Sequence, residues 1–207
     1  MKSVGILSQK GGSGKTVIAT NLARSLQLRG YEVILVDTDP QGSARDWAAT
    51  SEEIEVTHTV GVSQPNVHEQ LPRVEGYEIA IVDGAGKMER MSASVIKACD
   101  LILIPIQPAG VDLWAVGELV DLILSRQEAV GTPEAALMVS RAIVGTNLAE
   151  SVQDALSELE LPLLEARTYQ RVAYAKAISQ GVSVLDLSDK KAKEEINTLT
   201  NEVLSML

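Results

Sequence analysis

One short stretch governs what this chain can fold into. A β-branched run at Ser3–Ser8 passes directly into Lys10-Gly11-Gly12-Ser13-Gly14-Lys15-Thr16, which opens a helix-period segment over Lys15–Arg29 closed by Gly30. Glycines let successive backbone N–H groups turn toward one anion, and the helix N-terminus adds its positive end. In that setting Gly11, Gly12, Ser13, Gly14 and Val17 offer backbone to phosphates, Lys15 reaches the β- and γ-phosphates, and the Thr16 hydroxyl can ligate Mg²⁺. A glycine-rich strand-to-helix turn with an incidental lysine is the alternative. One detail departs from the ordinary G-x-x-x-x-G-K-[ST] pattern: Gln9 stands where its first glycine would be, and a second lysine, Lys10, sits at the mouth of the loop.

Downstream, short apolar runs alternate with helix-period segments. Strands are predicted at Glu32–Asp37, Ile54–Val60, Tyr77–Asp83, Leu101–Ile106 and Ala136–Arg141. Helices are predicted at Asn66–Val74, Met91–Ala98, Val111–Ala129, Leu148–Leu159, Tyr169–Ile178 and Ser188–Leu207. This alternation implies right-handed crossovers and an α/β fold, a mostly parallel twisted sheet with helices on both faces. Val33–Val36, Ile79–Val82 and Leu101–Ile104 are apolar at every position, as strands buried on both faces are. In such sheets ligands bind beyond the carboxyl ends of the strands. No repeat, linker or low-complexity tract interrupts the 207 residues, so a single domain over 1–207 is expected.

Composition narrows the classes. A single cysteine, Cys99, can form neither an internal disulfide nor a multi-thiolate metal site. With no Phe and 3% aromatic residues the chain lacks a base-stacking platform for single strands. No apolar run approaches the ~20 residues of a membrane helix, and the N-terminus shows no cleavage pattern, so a cytoplasmic protein is expected. Asp37, Asp39 and Asp83 close two predicted strands, where three carboxylates could gather beside Mg²⁺ and the γ-phosphate. Mg²⁺ keeps several waters, so one hydroxyl, two phosphate oxygens and carboxylate-held waters suffice. Asp83 could instead only cap the turn that follows it.

Lys10-Gly11-Gly12-Ser13-Gly14-Lys15-Thr16 resembles the deviant Walker A motif of the ParA/MinD family of ATPases. Val36-Asp37-Thr38-Asp39-Pro40-Gln41 is similar to that family's second-strand motif, Ile79–Gly84 to its Walker B region, and Gly181–Asp186 to a segment near the ParA C-terminus. The likeness is greatest to small ParF-like ParA proteins; a phosphate loop at residue 10 leaves no room for a preceding DNA-binding domain. The resemblance implies a single-domain P-loop NTPase that uses ATP and Mg²⁺. It implies Asp83 holding a metal-bound water, Asp37 supporting the outer shell of the metal and Asp39 orienting the attacking water, with the last two roles interchangeable. It further implies that Lys10 crosses a two-fold homodimer into the partner's site; contact with its own subunit's phosphates is the alternative. Pro105 and Pro108 would line the dimer interface, or belong to an ordinary loop, and Ser140 and Arg141 would lie at the adenine. Glycines Gly84 and Gly86 would hinge a switch loop.

The formal charge of −10 argues against a protein coated in positive charge. Counting by segment sharpens this. Residues 1–164 hold 12 basic and 22 acidic side chains, residues 165–193 hold six basic and three acidic, and the last fourteen hold three acidic ones. By resemblance, Arg167, Arg171, Lys176, Lys190 and Lys191 would bind double-stranded DNA nonspecifically on the ATP dimer; a merely solvated face is the alternative. The implied function is ATP-dependent partition or positioning of plasmid DNA, or of another cargo such as carboxysomes, through a ParB-like or centromere-binding adaptor. The protein would be nucleoid-associated when ATP-bound. A MinD-like membrane-cycling ATPase would need basic residues among large apolar ones at its end, whereas Thr198–Leu207 has Glu202 and no Lys or Arg, so no membrane partner is expected. An ATP-dependent metabolic enzyme fits Lys10 and Asp37–Gln41 less well.

Overall fold

A computed structural model describes residues 1–51, 57–86, 89–108, 113–144, 156 and 159–207. Among the described residues seven strands form one parallel sheet: β1 (Lys2–Ile6), β2 (Val33–Asp37), β3 (His58–Gly61), β4 (Ile79–Asp83), β5 (Leu101–Ile106), β6 (Glu134–Ala142) and β7 (Leu163–Tyr169), in the order β3-β2-β4-β1-β5-β6-β7. From β1 the chain crosses to β2 on one side, and from β4 it crosses to β5 on the other, so connections diverge about β1. A crevice opens at such a point beyond the strand ends. The phosphate loop lies there.

Because side chains alternate along a strand, each buried strand feeds two cores. Val36, Ile102, Ile104 and Leu137 point to the face covered by α3 (Val67–Gln70), α4 (Glu89–Ala98) and α5 (Leu113–Val130), where Met91, Val95 and Ile123 pack. Leu35, Leu101, Leu103 and Met138 point to the other, where α1 (Lys15–Leu28), α2 (Ser43–Thr50) and the C-terminal α7 (Lys190–Met206) supply Ile18, Leu22, Trp47, Leu199 and Val203. Each fully buried Leu or Ile contributes about 1.5–3 kcal/mol. A third cluster joins α6 (Val172–Ser179) to α7 through Tyr174, Ala177, Val184 and Ile196.

The ends of these elements interlock. Asn21 on α1 accepts from Ser183 Oγ at 2.7 Å and Val184 N–H at 2.8 Å, and Trp47 Nε1 donates to the Val182 carbonyl at 3.0 Å. Gly181 has φ +65°, and a Cβ there would lie 2.5 Å from the Ser51 nitrogen, so the backbone approach excludes any side chain.

Several expectations change. The helix α2 has no legible signal in the sequence; its eight residues are too few for a clear period, and its N-cap is Gly42 in the left-handed region. The strand β7 has no such signal either, since Glu165 and Arg167 occupy its outward positions and only Ala166 and Thr168 are buried. Carboxylates on α7 cover the backbone of this edge: Glu202 accepts from the Glu165 and Ala166 N–H groups, and Glu195 from that of Tyr169. The helix expected from Tyr169 therefore begins at Val172. The segment Asn66–Val74 is one α-turn followed by a 3₁₀ turn at Leu71–Arg73, consistent with Pro72 lacking an N–H. Leu148–Leu159 lies almost wholly outside the described residues, as does the first part of Ile54–Val60.

Candidate functional site

The strand β1 delivers the chain into the phosphate loop, whose turns depend on Gly12 (φ +74°) and Gly14 (φ +93°). Gly14 has no room for a side chain, because a Cβ would stand 2.8 Å from Ser140 Oγ. That hydroxyl donates to the Ser13 carbonyl at 2.8 Å, and Arg141 Nη1 donates to the Gly12 carbonyl at 2.8 Å. Arg141 itself holds φ +55°, an uncommon conformation for a side chain of its size. The end of β6 thus grips the loop from outside.

Inside the loop Lys15 is buried, with Nζ 3.4 Å from the Lys10 carbonyl. Burial lowers its pKa, opposed by the nearby Asp83 and Asp39 carboxylates. Thr16 Oγ1 donates to Asp83 Oδ2 at 2.7 Å. The second oxygen of Asp83, Oδ1, is buried and has no hydrogen-bond partner. Burial first, with Asp37 and Asp39 adding to it and Thr16 and Lys15 opposing it, pushes this carboxyl from 3.8 to about 7. A buried carboxylate oxygen lacking a partner costs free energy unless a ligand meets it. A hard cation at that oxygen and at the Thr16 hydroxyl removes the cost, so this donor set fits Mg²⁺.

The three carboxylates do not act as one cluster, and among the described residues no three His, Cys, Asp or Glu side chains converge as metal ligands. Asp37 is spent on its own loop: Oδ1 accepts from the Asp39 N–H at 2.9 Å, and Oδ2 accepts from the Arg45 N–H at 3.1 Å and faces Arg45 Nε at 3.5 Å. Asp39 is half-exposed, turns one oxygen to the Gln41 N–H at 2.9 Å, and lines the cavity. This geometry separates their roles, Asp37 bracing the loop and Asp39 facing the site. Thr38, which the sequence did not single out, bonds to the Asp83 carbonyl through both its N–H and its hydroxyl, locking β2 to β4.

The cavity measures about 690 Å³. Gly11, Gly12, Gly14, Lys15, Thr16 and Val17 form one side, with Asp39 and Gly86 beside them. Ser140, Arg141 and Thr168–Val172 with Tyr174 and Ala175 form the other; of that second segment the sequence singled out Arg171 alone, and for DNA rather than nucleotide. Lys10 is half-exposed, its N–H toward Ser8 Oγ at 3.3 Å. Pro105 pairs with Met138 within β5 and is buried, as is Pro108. Of the basic set, Lys176, Lys190 and Lys191 are exposed and Arg167 is half-exposed, whereas Arg171 is paired with Glu195 and lines the cavity. His58 and His68 are bonded to Tyr77 and Ser94, away from the site.

A parallel sheet, a glycine loop at its diverging point and a Thr–Asp pair suited to Mg²⁺ define a P-loop nucleotide-binding protein. Residues 4–184 match the CobQ/CobB/MinD/ParA nucleotide binding domain, and the chain belongs to this family as a ParA/MinD-type ATPase. Two relatives share the name "Maintenance of carboxysome distribution protein A". The one from Halothiobacillus neapolitanus is 29% identical over 98% of this chain and 96% of its own length. The one from Gloeobacter kilaueensis is 32% identical over 92% and 87%. The fold also superposes on apo McdA from Cyanothece with a TM-score of 0.83, covering 99% of each chain at 16% identity.

Proposed function

We propose that this chain is an ATP-switched dimer that positions a cargo on nonspecific DNA through an adaptor protein. The observation that carries this reading is the placement of the two lysines. Lys15 already occupies the interior of the loop, while Lys10 stands half-exposed at its mouth, where a second subunit can present it to a facing site. Transition-state charge on the transferred phosphoryl is then neutralised only when two ATP-bound subunits meet. Thr16 and Asp83 would hold Mg²⁺, which would neutralise further charge on the phosphates. Lys15 binds the β- and γ-phosphates, Asp39 orients water, and Asp37 with Arg45 fixes the loop that carries Asp39.

The exposed Lys176, Lys190 and Lys191 supply phosphate contacts that a dimer doubles. Gel shifts with random duplex test this: binding requires ATP, weakens with salt, and falls when Lys190 and Lys191 are changed to Ala. Unaltered binding by that variant refutes the patch. The names of the two carboxysome-distribution relatives support a protein assembly as cargo over the plasmid expected from sequence; co-sedimentation with purified assemblies or with plasmid–adaptor complexes discriminates them.

A membrane-cycling role has little support. Leu199 and Val203 are buried, Leu204, Met206 and Leu207 pack on the core, and among the described residues no helix is long and apolar enough to cross a membrane. Pelleting with anionic lipid vesicles in ATP is expected to leave the protein in the supernatant.

A further inference from the structure

Helix α7 carries a carboxylate outside the cavity that holds much of the cavity's far wall. Glu195 is buried; Oε1 accepts from Arg171 Nε at 2.5 Å, and Oε2 accepts from the Tyr169 N–H at 3.1 Å and the Tyr174 hydroxyl at 2.8 Å. The three donors come from the last residue of β7, the N-cap of α6 and its first turn, and all three residues line the cavity opposite the phosphate loop. Between them stand Gln170 and Val172, which also line it, and Val172 is 84% exposed.

With the phosphates at the glycine loop, this wall meets the nucleoside. An apolar side chain held open to solvent at a cavity wall offers one face to a planar base. Along the sheet the β6–β7 register shifts between Leu137 and Val139 and again between Val139 and Ala142. The Gln170 N–H still bonds to the Ala142 carbonyl at 2.8 Å, and beyond it the segment depends on α7.

We propose that Glu195 is a positioning residue for nucleoside recognition, fixing residues 169–174 so that Val172 and Gln170 meet the base. The inference rests on reading the cavity as a nucleotide site. Without the carboxylate, the Arg171 guanidinium, the Tyr169 N–H and the buried Tyr174 hydroxyl lose their shared partner, and the segment shifts to satisfy them. The phosphate loop shares no bond with Glu195 and keeps its geometry.

Calorimetric titration of the full chain with ATP and, separately, with inorganic tripolyphosphate, both in Mg²⁺, reads the two ends of the cavity apart. Glu195→Ala should raise the Kd for ATP about tenfold or more, as a lost buried partner implies, and leave that for tripolyphosphate within about twofold. Glu195→Gln, which retains an acceptor, should fall between. Tyr174→Phe removes one bond and leaves the ion pair, so it should give a smaller, ATP-only loss, and it reads the proposal even if Glu195→Ala fails to fold. Equal weakening toward both ligands, or unchanged ATP affinity, overturns the proposal. Wild-type protein binding ATP no more tightly than tripolyphosphate would overturn it while sparing the phosphate-loop reading; binding of neither would overturn both.

Discussion

Replacing Asp83 by asparagine should make the metal-free protein more stable at pH 8 while barely changing it at pH 4. The wild-type carboxyl is 1% exposed, one of its oxygens has no partner, and burial chiefly pushes it from 3.8 to about 7. Between those values the folded chain keeps a proton that the unfolded chain has released. Stability therefore falls as pH rises, by about 1.36 kcal/mol per pH unit from this group. Across roughly three pH units the loss is of order 4 kcal/mol, complete just above pH 7. Asparagine still accepts from Thr16 Oγ1 but cannot ionise, so the gap between variant and wild type opens from near zero to ~4 kcal/mol between pH 4 and pH 8. Urea unfolding in EDTA, followed by the fluorescence of the buried Trp47, measures it. A gap that stays constant from pH 4 to pH 8, or a variant less stable than wild type at pH 8, would refute the reasoning. Mg²⁺ with ATP should reverse the order, because only the carboxylate gains from the cation.

Three further outcomes follow from local geometry. Gly14→Ala puts a Cβ 2.8 Å from Ser140 Oγ at φ +93°, so titration should show ATP affinity lowered at least about tenfold with circular dichroism unchanged. Asp39→Ala should retain ATP binding and lose phosphate release in a radiolabel assay; unchanged turnover contradicts its role. Gly181→Ala meets backbone atoms of Trp47, Thr50 and Ser51 within 2.5–2.8 Å, and should lower unfolding free energy by about 2 kcal/mol or more in urea titrations.

The central sheet was legible because its strands are apolar on both faces, a pattern that only burial in a parallel sheet explains; Leu101–Ile106 matches β5 residue for residue. The phosphate loop was legible because anion binding needs glycines at fixed offsets. What escaped has no local signature. The strand β7 forms because Glu202 and Glu195, roughly thirty residues later, accept from its edge, and α2 forms because Trp47 finds a core and the Val182 carbonyl across the fold. The far wall of the cavity was missed for the same reason: the positions of Tyr169, Arg171 and Tyr174 are set by a carboxylate on another helix. The sequence also marked Asp37, Asp39 and Asp83 as one group, whereas Arg45, a residue of α2 that carries no signal of its own, diverts Asp37.

The most direct test of the ATP-switched dimer is the mass of the protein by light scattering coupled to gel filtration, in Mg²⁺ with ATP and with ADP. The 22.1 kDa chain should double its mass with ATP alone, most clearly in the slowly hydrolysing Asp39→Ala protein, and Lys10→Ala should stay monomeric in both nucleotides. A monomer in every nucleotide state, or a normal ATP dimer from Lys10→Ala, would contradict the account.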